Sequence, residues 1–243
     1  MATADKKTVL ITGATRGLGL TFVKHYIKEG WNVIATARDV DKADKLRAEG
    51  PSKIIQLETR DEESIARAAK ELEGIPIDLL INNAGILEEG TLESTTKESL
   101  MRQFEVNSVA PFLVTRALVE NVRLAAQQHG EAVVASISTM LASISINSGG
   151  QYHTMKMNYG GRYGYRSSKT ALNMINSCLA VDLKANNIIT VVLQPGYVNT
   201  DLTYGRGIVQ PEDSVAGMTA VIAGLKQDDT GKFFDFTGPE LPW

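Results

Sequence analysis

Short runs of β-branched and aliphatic residues alternate along the chain with longer stretches in which apolar positions recur every three or four residues. The short runs are Thr8-Val9-Leu10-Ile11, Val33-Ile34-Ala35-Thr36, Ile54-Ile55-Gln56-Leu57, Asp78-Leu79-Leu80-Ile81, Val133-Val134-Ala135-Ser136-Ile137 and residues 188–193. Most are continuously apolar, the pattern of strands covered on both faces. Between them Leu18, Phe22, Tyr26 and Ile27, and later Leu172, Ile175 and Leu179, mark helical stripes able to cover a sheet. This order predicts an α/β fold: a single doubly wound parallel sheet with helices on both faces. A last run, Lys232-Phe233-Phe234-Asp235-Phe236, predicts an added edge strand.

One segment departs from the pattern. Residues 140–163 are rich in Ser, Gly, Asn, Met and Tyr and show no periodicity, so they read as a lid or an ordered loop. No repeat or low-complexity linker divides the chain, and its 243 residues fit one α/β domain spanning 1–243. The 43% hydrophobic and 22% charged content sets disordered and fibrous classes aside.

A formal charge of -3 leaves no broad basic face for nucleic acid, so any anion site must be built from local arginines and backbone N–H groups. Cys178 is the sole cysteine, as expected of a reducing compartment, and cytosol is the expected location. The polar start of the chain runs into the first strand without the apolar region of a signal peptide, and no run is long enough to span a bilayer. With only His25, His129 and His153, and no acidic cluster at ligand spacing, no catalytic metal is expected.

Immediately after the first strand comes Thr12-Gly13-Ala14-Thr15-Arg16-Gly17-Leu18-Gly19, opening an amphipathic helix. In that setting Gly13 suits a tight turn, Gly17 a close backbone approach to a pyrophosphate, and Gly19 close packing of helix on sheet. The helix N-terminus offers N–H groups and a favourable dipole, so residues from Gly13 through Thr15, Arg16, Gly17 and Leu18 to Gly19 are the expected dinucleotide contacts of a Rossmann fold. The Gly-x-x-x-Gly-x-Gly spacing differs from the general Gly-x-Gly-x-x-Gly fingerprint, and a purely structural glycine turn is the alternative. Arg16 lies within the turn, and Arg38 follows the second strand where an acidic residue would select NAD. Two arginines suit a 2′-phosphate and predict NADP(H); Asp39 beside Arg38 weighs against this, and both arginines as solvated surface charges is the competing reading.

Tyr165-Arg166-Ser167-Ser168-Lys169 opens a further apolar-periodic helix and puts Tyr165 and Lys169 on one face. A free tyrosine titrates near ~10, and a lysine ammonium one turn away is expected to stabilise the phenolate and lower that value. Such a pair is common by chance, but with the nucleotide turn it points to proton transfer beside a nicotinamide.

Taken in order, Thr12 to Gly19, Asn82-Asn83-Ala84-Gly85, Asn107, Tyr165 with Lys169, and Pro195-Gly196 leading to Thr200 resemble the short-chain dehydrogenase/reductase family over essentially the whole chain. The stretch Tyr165 to Asn173 and the ending Gly238-Pro239-Glu240-Leu241-Pro242-Trp243 resemble its sniffer and C-factor-like carbonyl reductases. The resemblance implies an oxidoreductase that reduces a small-molecule ketone or aldehyde with NADPH. Tyr165 would be the acid; Lys169 would support it and bind the nicotinamide ribose. Asn83, Ala84 and Gly85 would line the adenine-ribose side. Pro195, Gly196, Val198 and Thr200 would embrace the nicotinamide. Asn107 would hold a water linking Lys169 to solvent; as a residue it could equally kink or cap a helix.

Three departures from the family stand out. Thr139 stands where the family has its substrate-binding serine, with Ser138 in reserve. Glu58 and Thr59 replace the usual acidic residue and its neighbour beside adenine. Residues 140–163 are longer than usual, and Met140, Tyr152, His153, Met155, Met157, Tyr159 and Tyr163 are expected either to wall the substrate pocket or to cover a sheet edge or subunit contact. A homodimer or homotetramer through residues 104–119 and 165–183 is also implied. An NADP(H)-sensing regulator with little turnover is the alternative function, and nucleic-acid and membrane partners are not expected.

Overall fold

A computed structural model describes residues 6–148, 151–152, 155–156 and 160–243, with 148, 151–152 and 155–156 described by backbone alone. Seven strands form a wholly parallel sheet: β1 (Thr8–Ile11), β2 (Asn32–Ala37), β3 (Lys53–Gln56), β4 (Leu79–Asn82), β5 (Ala132–Ile137), β8 (Ile188–Gln194) and β9 (Phe233–Asp235). Their spatial order is β3-β2-β1-β4-β5-β8-β9. Two further strands, β6 (Gln151–Tyr152) and β7 (Met155–Lys156), pair antiparallel apart from the sheet. The chain reverses its direction of travel across the sheet between β1 and β4, and the crevice at their C-terminal ends is where such sheets place ligands.

Among the described residues, seven α-helices accompany the sheet: α1 (Gly17–Lys28), α2 (Asp44–Ala48), α3 (Glu62–Glu71), α4 (Lys97–Phe104), α5 (Ala110–His129), α6 (Tyr163–Leu183) and α7 (Pro211–Gly224). Local chemistry explains several of their ends. The Asp61 carboxylate accepts the Glu63 N–H at the start of α3, and the Thr96 hydroxyl accepts the Ser99 N–H at the start of α4. Pro111 sits in the first turn of α5, where its missing N–H costs nothing, and Gly130, with φ of 92°, ends the helix.

Each face of the sheet buries its own core. Val9, Ile11, Val33, Leu79 and Val191 pack beneath Phe22, Val23 and Tyr26 of α1 and Val215 and Met218 of α7. Leu10, Ile34, Leu80 and Val134 pack beneath Ile65 and Leu72 on the α3 side and Val114, Leu118 and Val122 of α5. Burying each large aliphatic side chain stabilises the fold by ~1.5–3 kcal/mol, which fixes the register of the strands and the height of their C-terminal ends.

The predicted strands agree with the observed ones to within a residue or two, including the edge strand. Helix α6 departs from its expected stripe. Its buried face carries Tyr165, Ser168, Lys169, Leu172, Asn173, Asn176, Ala180 and Leu183, so half of it is polar. Part of the 140–163 segment falls within the described residues. Tight turns form at Met140–Ala142 and Ile146–Ser148, Met140 packs on Ile146 and Leu141, and Ser145 donates from both N and Oγ to the Trp243 carbonyl, at 3.0 and 2.6 Å. Of the expected pocket wall, His153, Met157 and Tyr159 lie outside the described residues. Tyr163 is the first residue of α6, with its side chain partly exposed.

Candidate active site

A cleft of about 600 Å³ opens at the C-terminal ends of β1, β2, β4 and β5. At one end the β1–α1 turn forms its floor. Gly13 and Gly17 have φ of 65° and 52°, the left-handed region that favours glycine. A Cβ on Gly19 would lie 2.1 Å from the Gly13 carbonyl oxygen and 2.7 Å from Asn83 Nδ2, so only glycine fits where α1 meets the sheet. Asn83 locks this turn from the next strand by donating to the carbonyls of Thr12 and Gly13 at 2.9 and 3.1 Å. The Thr12 hydroxyl in turn accepts the N–H groups of Asn83 and Ala84. The N-cap, Arg16, makes no side-chain cap bond, leaving the helix terminus facing the cleft.

Arg16 and Arg38 both border the cleft with exposed side chains, and Arg16 also approaches Asp201 across its mouth at 3.5 Å. Asp39 is directed elsewhere: its carboxylate pairs with Lys42 at 2.9 Å and accepts the Asp41 N–H. Further along the same wall are Glu58, Thr59 and Arg60; Glu58 accepts the Arg60 N–H at 3.1 Å and lies 3.5 Å from its guanidinium.

At the other end, Tyr165 and Lys169 rise from α6 and Thr139 from the exit of β5. Thr139 lies near enough to act on the Tyr165 phenol, and its Oγ1 accepts the Leu141 N–H at 3.2 Å. Ser138 also borders the cleft, but its hydroxyl is committed, donating to Asn173 Oδ1 at 2.7 Å in full burial.

The expected coupling of Lys169 to Tyr165 is corrected by this geometry. Burial pushes the Tyr165 phenol up to about 12, with the Thr139 hydrogen bond and then the charge of Arg162 acting the other way. Lys169 itself is lowered to about 8 by burial, and its ammonium donates to the Ile137 carbonyl at 2.7 Å. The loss of solvation thus outweighs charge attraction at the phenol, and the cation acting on it is Arg162.

Asn107 sits in a π-helical turn, Glu105–Val109, inserted between α4 and α5. Such turns widen a helix by one residue and re-aim a side chain. Here Nδ2 donates to the Ile86 carbonyl and to Ser168 Oγ, at 2.9 and 3.0 Å, while Oδ1 accepts the Ile86 N–H. A Cβ on Gly85 would lie 3.2 Å from Asn107 Oδ1 and 3.5 Å from Lys169 Nζ, so glycine keeps open the gap that these two groups face. Pro195 and Thr200 border the cleft, whereas Val198 is buried in a bridge to Val209 and Gly196 packs against Phe236 and Val209.

Sequence reading did not single out Ile86, Leu87, Glu88 and Arg102 on one wall, or Asp201, Leu202 and Tyr204 on the other. Arg102 donates to both Glu88 oxygens at 2.6 and 3.0 Å, which holds that carboxyl below its ordinary value. Among the described residues, no group of three or more His, Cys, Asp or Glu side chains could hold a metal, and no helix is long and apolar enough to cross a membrane.

Known proteins resemble this chain in sequence and in fold. C-signal of Myxococcus xanthus is 36% identical over 169 residues, 69% of this chain and 93% of that protein. The NADPH-bound carbonyl reductase from chicken fatty liver superposes with a TM-score of 0.86 at 32% identity, covering 98% of this chain and 99% of that one. Carbonyl reductase Sniffer of D. melanogaster superposes at 0.89 with 28% identity, covering 98% and 100%. Residues 7–207 match the sequence pattern of the short chain dehydrogenases, so with its parallel sheet and glycine turn the chain belongs to the short chain dehydrogenase family of oxidoreductases.

Proposed function

We propose that this protein is an NADPH-dependent carbonyl reductase whose single domain reduces a ketone or aldehyde to an alcohol, with Tyr165 as general acid. The observation that carries this reading is the convergence of Tyr165 and Lys169 on a cleft whose other end is a helix N-terminus flanked by Arg16 and Arg38.

The residues present suit the dinucleotide. The β1–α1 turn would take the pyrophosphate on backbone N–H groups, and Arg16 and Arg38 would take the 2′-phosphate. Glu58 and Thr59 with Asn83, Ala84 and Gly85 would border the adenosine, and Pro195 to Thr200 the nicotinamide. When bound, NADPH supplies a hydride to the substrate carbon. Thr139 and Tyr165 would hold the carbonyl oxygen between two hydroxyl groups. A phenol raised to about 12 stays protonated at neutral pH and can donate to an alkoxide, whose conjugate acid is weaker still. The Lys169 ammonium and the gap at Gly85 then offer a path back for the proton, with Asn107 Oδ1 as its further wall.

Exposed Met101, Phe104, Met174 and Val181 favour a homo-oligomer through α4 and α6, checked by light scattering. The likeness to C-signal supports a second reading, a nucleotide-responsive regulator with little turnover. NADPH absorbance followed with a panel of aldehydes, ketones, diketones and quinones separates the two. Carbonyl-dependent NADPH oxidation is the expected result; tight NADPH binding with no turnover on any of them favours the regulator.

A further inference from the structure

Tyr165 stands in the first turn of α6, and that turn is fastened to the loop leaving β4 in a way that none of the roles above requires. Arg162 caps the helix with φ of 52° and ψ of 37°, a left-handed conformation that costs a non-glycine residue energy. Its N–H donates to the Gly90 carbonyl at 2.7 Å, and its own carbonyl accepts the Arg166 N–H at 2.9 Å, starting the helix. Its guanidinium Nε and Nη2 donate to the two oxygens of Glu89 at 2.8 and 2.9 Å. Gly161 adds to the fit, because a Cβ there would approach the Gly90 oxygen to 3.0 Å.

The two-pronged bond fixes where the Arg162 charge lies, and that charge acts on the Tyr165 phenol. The other groups facing this region are already committed. Thr139 accepts the Leu141 N–H, Lys169 bonds the Ile137 carbonyl, Arg102 pairs with Glu88, and Arg166 reaches Asn147. Arg206 adds a second positive influence on Glu89, whose carboxyl is held below its ordinary value chiefly by the hydrogen bonds from Arg162. A half-exposed ion pair of this kind contributes little to stability by itself. A strained cap held by both a backbone bond and a two-pronged ion pair therefore indicates a geometric task.

We propose that Glu89 and Arg162 form a positioning clamp that holds the first turn of α6 against the loop after β4, and so fixes the Tyr165 hydroxyl opposite Thr139. The clamp rests on Tyr165 being the acid and adds two residues that touch neither substrate nor cofactor.

The test compares Glu89→Gln, Arg162→Gln, the double variant, Arg162→Lys and Arg162→Gly in the full chain. Glycine accepts φ of 52° without strain, so Arg162→Gly keeps the backbone while deleting the clamp, even if the glutamine variant folds poorly. With the best carbonyl substrate, kcat is expected to fall about tenfold in Glu89→Gln and in Arg162→Gly, while the NADPH Kd, read by fluorescence, stays unchanged. The double variant should be no worse than either single one, because the two residues act as a unit. Arg162→Lys should recover part of the loss by keeping the charge.

Normal kcat in Glu89→Gln and Arg162→Gly, or losses that multiply in the double variant, would overturn the clamp. A parallel Tyr165→Phe sample separates the two levels. If that variant is inactive while the clamp variants are normal, only the clamp fails; if it is fully active, the acid assignment fails first.

Discussion

In the nucleotide half of the cleft, recognition is built from the backbone: Gly13, Gly17 and Gly19 shape one turn within seven residues, and Asn83 braces it through main-chain carbonyls. The reacting half is assembled from side chains that are distant in sequence. Thr139 comes from the exit of β5, Tyr165 and Lys169 from α6, and Asn107 from a π-helical turn. A backbone site tolerates no added volume, whereas a side-chain site tolerates packing changes and fails when one polar group is removed. The two halves should therefore break in different ways.

The largest effect is expected at Gly19. In Gly19→Val the side chain would collide with the Gly13 carbonyl, so the variant should lose NADPH binding together with several kcal/mol of stability, on the order of 3 or more, read by thermal melting and fluorescence titration. The reacting half should instead separate turnover from stability. Thr139→Val should cost about 100-fold in kcat, far beyond the roughly 1 kcal/mol of stability lost with the Leu141 N–H bond, since it removes a hydroxyl aimed at the substrate oxygen. Ser138→Ala should do the reverse, leaving kcat near normal while the orphaned Asn173 oxygen costs about 1–3 kcal/mol in denaturant unfolding. Equal kcat losses in the two variants would erase the distinction between these neighbours.

A smaller effect is expected at the edge of the nucleotide half. Arg38→Ala should weaken NADPH by about tenfold while leaving NADH unchanged, as measured by competitive titration. Asp39, held by Lys42, should not reject the phosphate.

The least effect concerns pH. Burial lowers Lys169 to about 8 from 10.5, so between these values the unfolded chain binds more protons than the folded one and stability rises with pH. Below 8 both states are charged and the slope from this group vanishes; near and above 10 the raised Tyr165 works in the opposite direction. Lys169→Met should flatten the rise between pH 8 and 10 in denaturant melts.

The same division decides what could be read from the sequence. The strands, the glycine turn, Arg16, Arg38 and the Tyr165–Lys169 spacing are local patterns, and the structure brings them to one cleft as the order of elements implied. Thr139 could be placed from its position after β5, whereas the bond that occupies the Ser138 hydroxyl runs to Asn173, 35 residues on, and leaves no local signal. The Glu88–Arg102 and Glu89–Arg162 pairs join segments with no shared periodicity, so nothing in the sequence marks them. The balance at Tyr165 was misread because residue spacing reveals a nearby lysine but not the burial that outweighs it, nor the Ile137 carbonyl that holds the ammonium.

Single-turnover reduction by the Tyr165→Phe variant, saturated with NADPH and mixed with an accepted carbonyl substrate, tests the central assignment most directly. The expected result is unchanged NADPH affinity with the reduction rate lowered by about 10³-fold, the loss of one positioned acid. A rate within a few-fold of the unmodified protein would show that the proton comes from elsewhere.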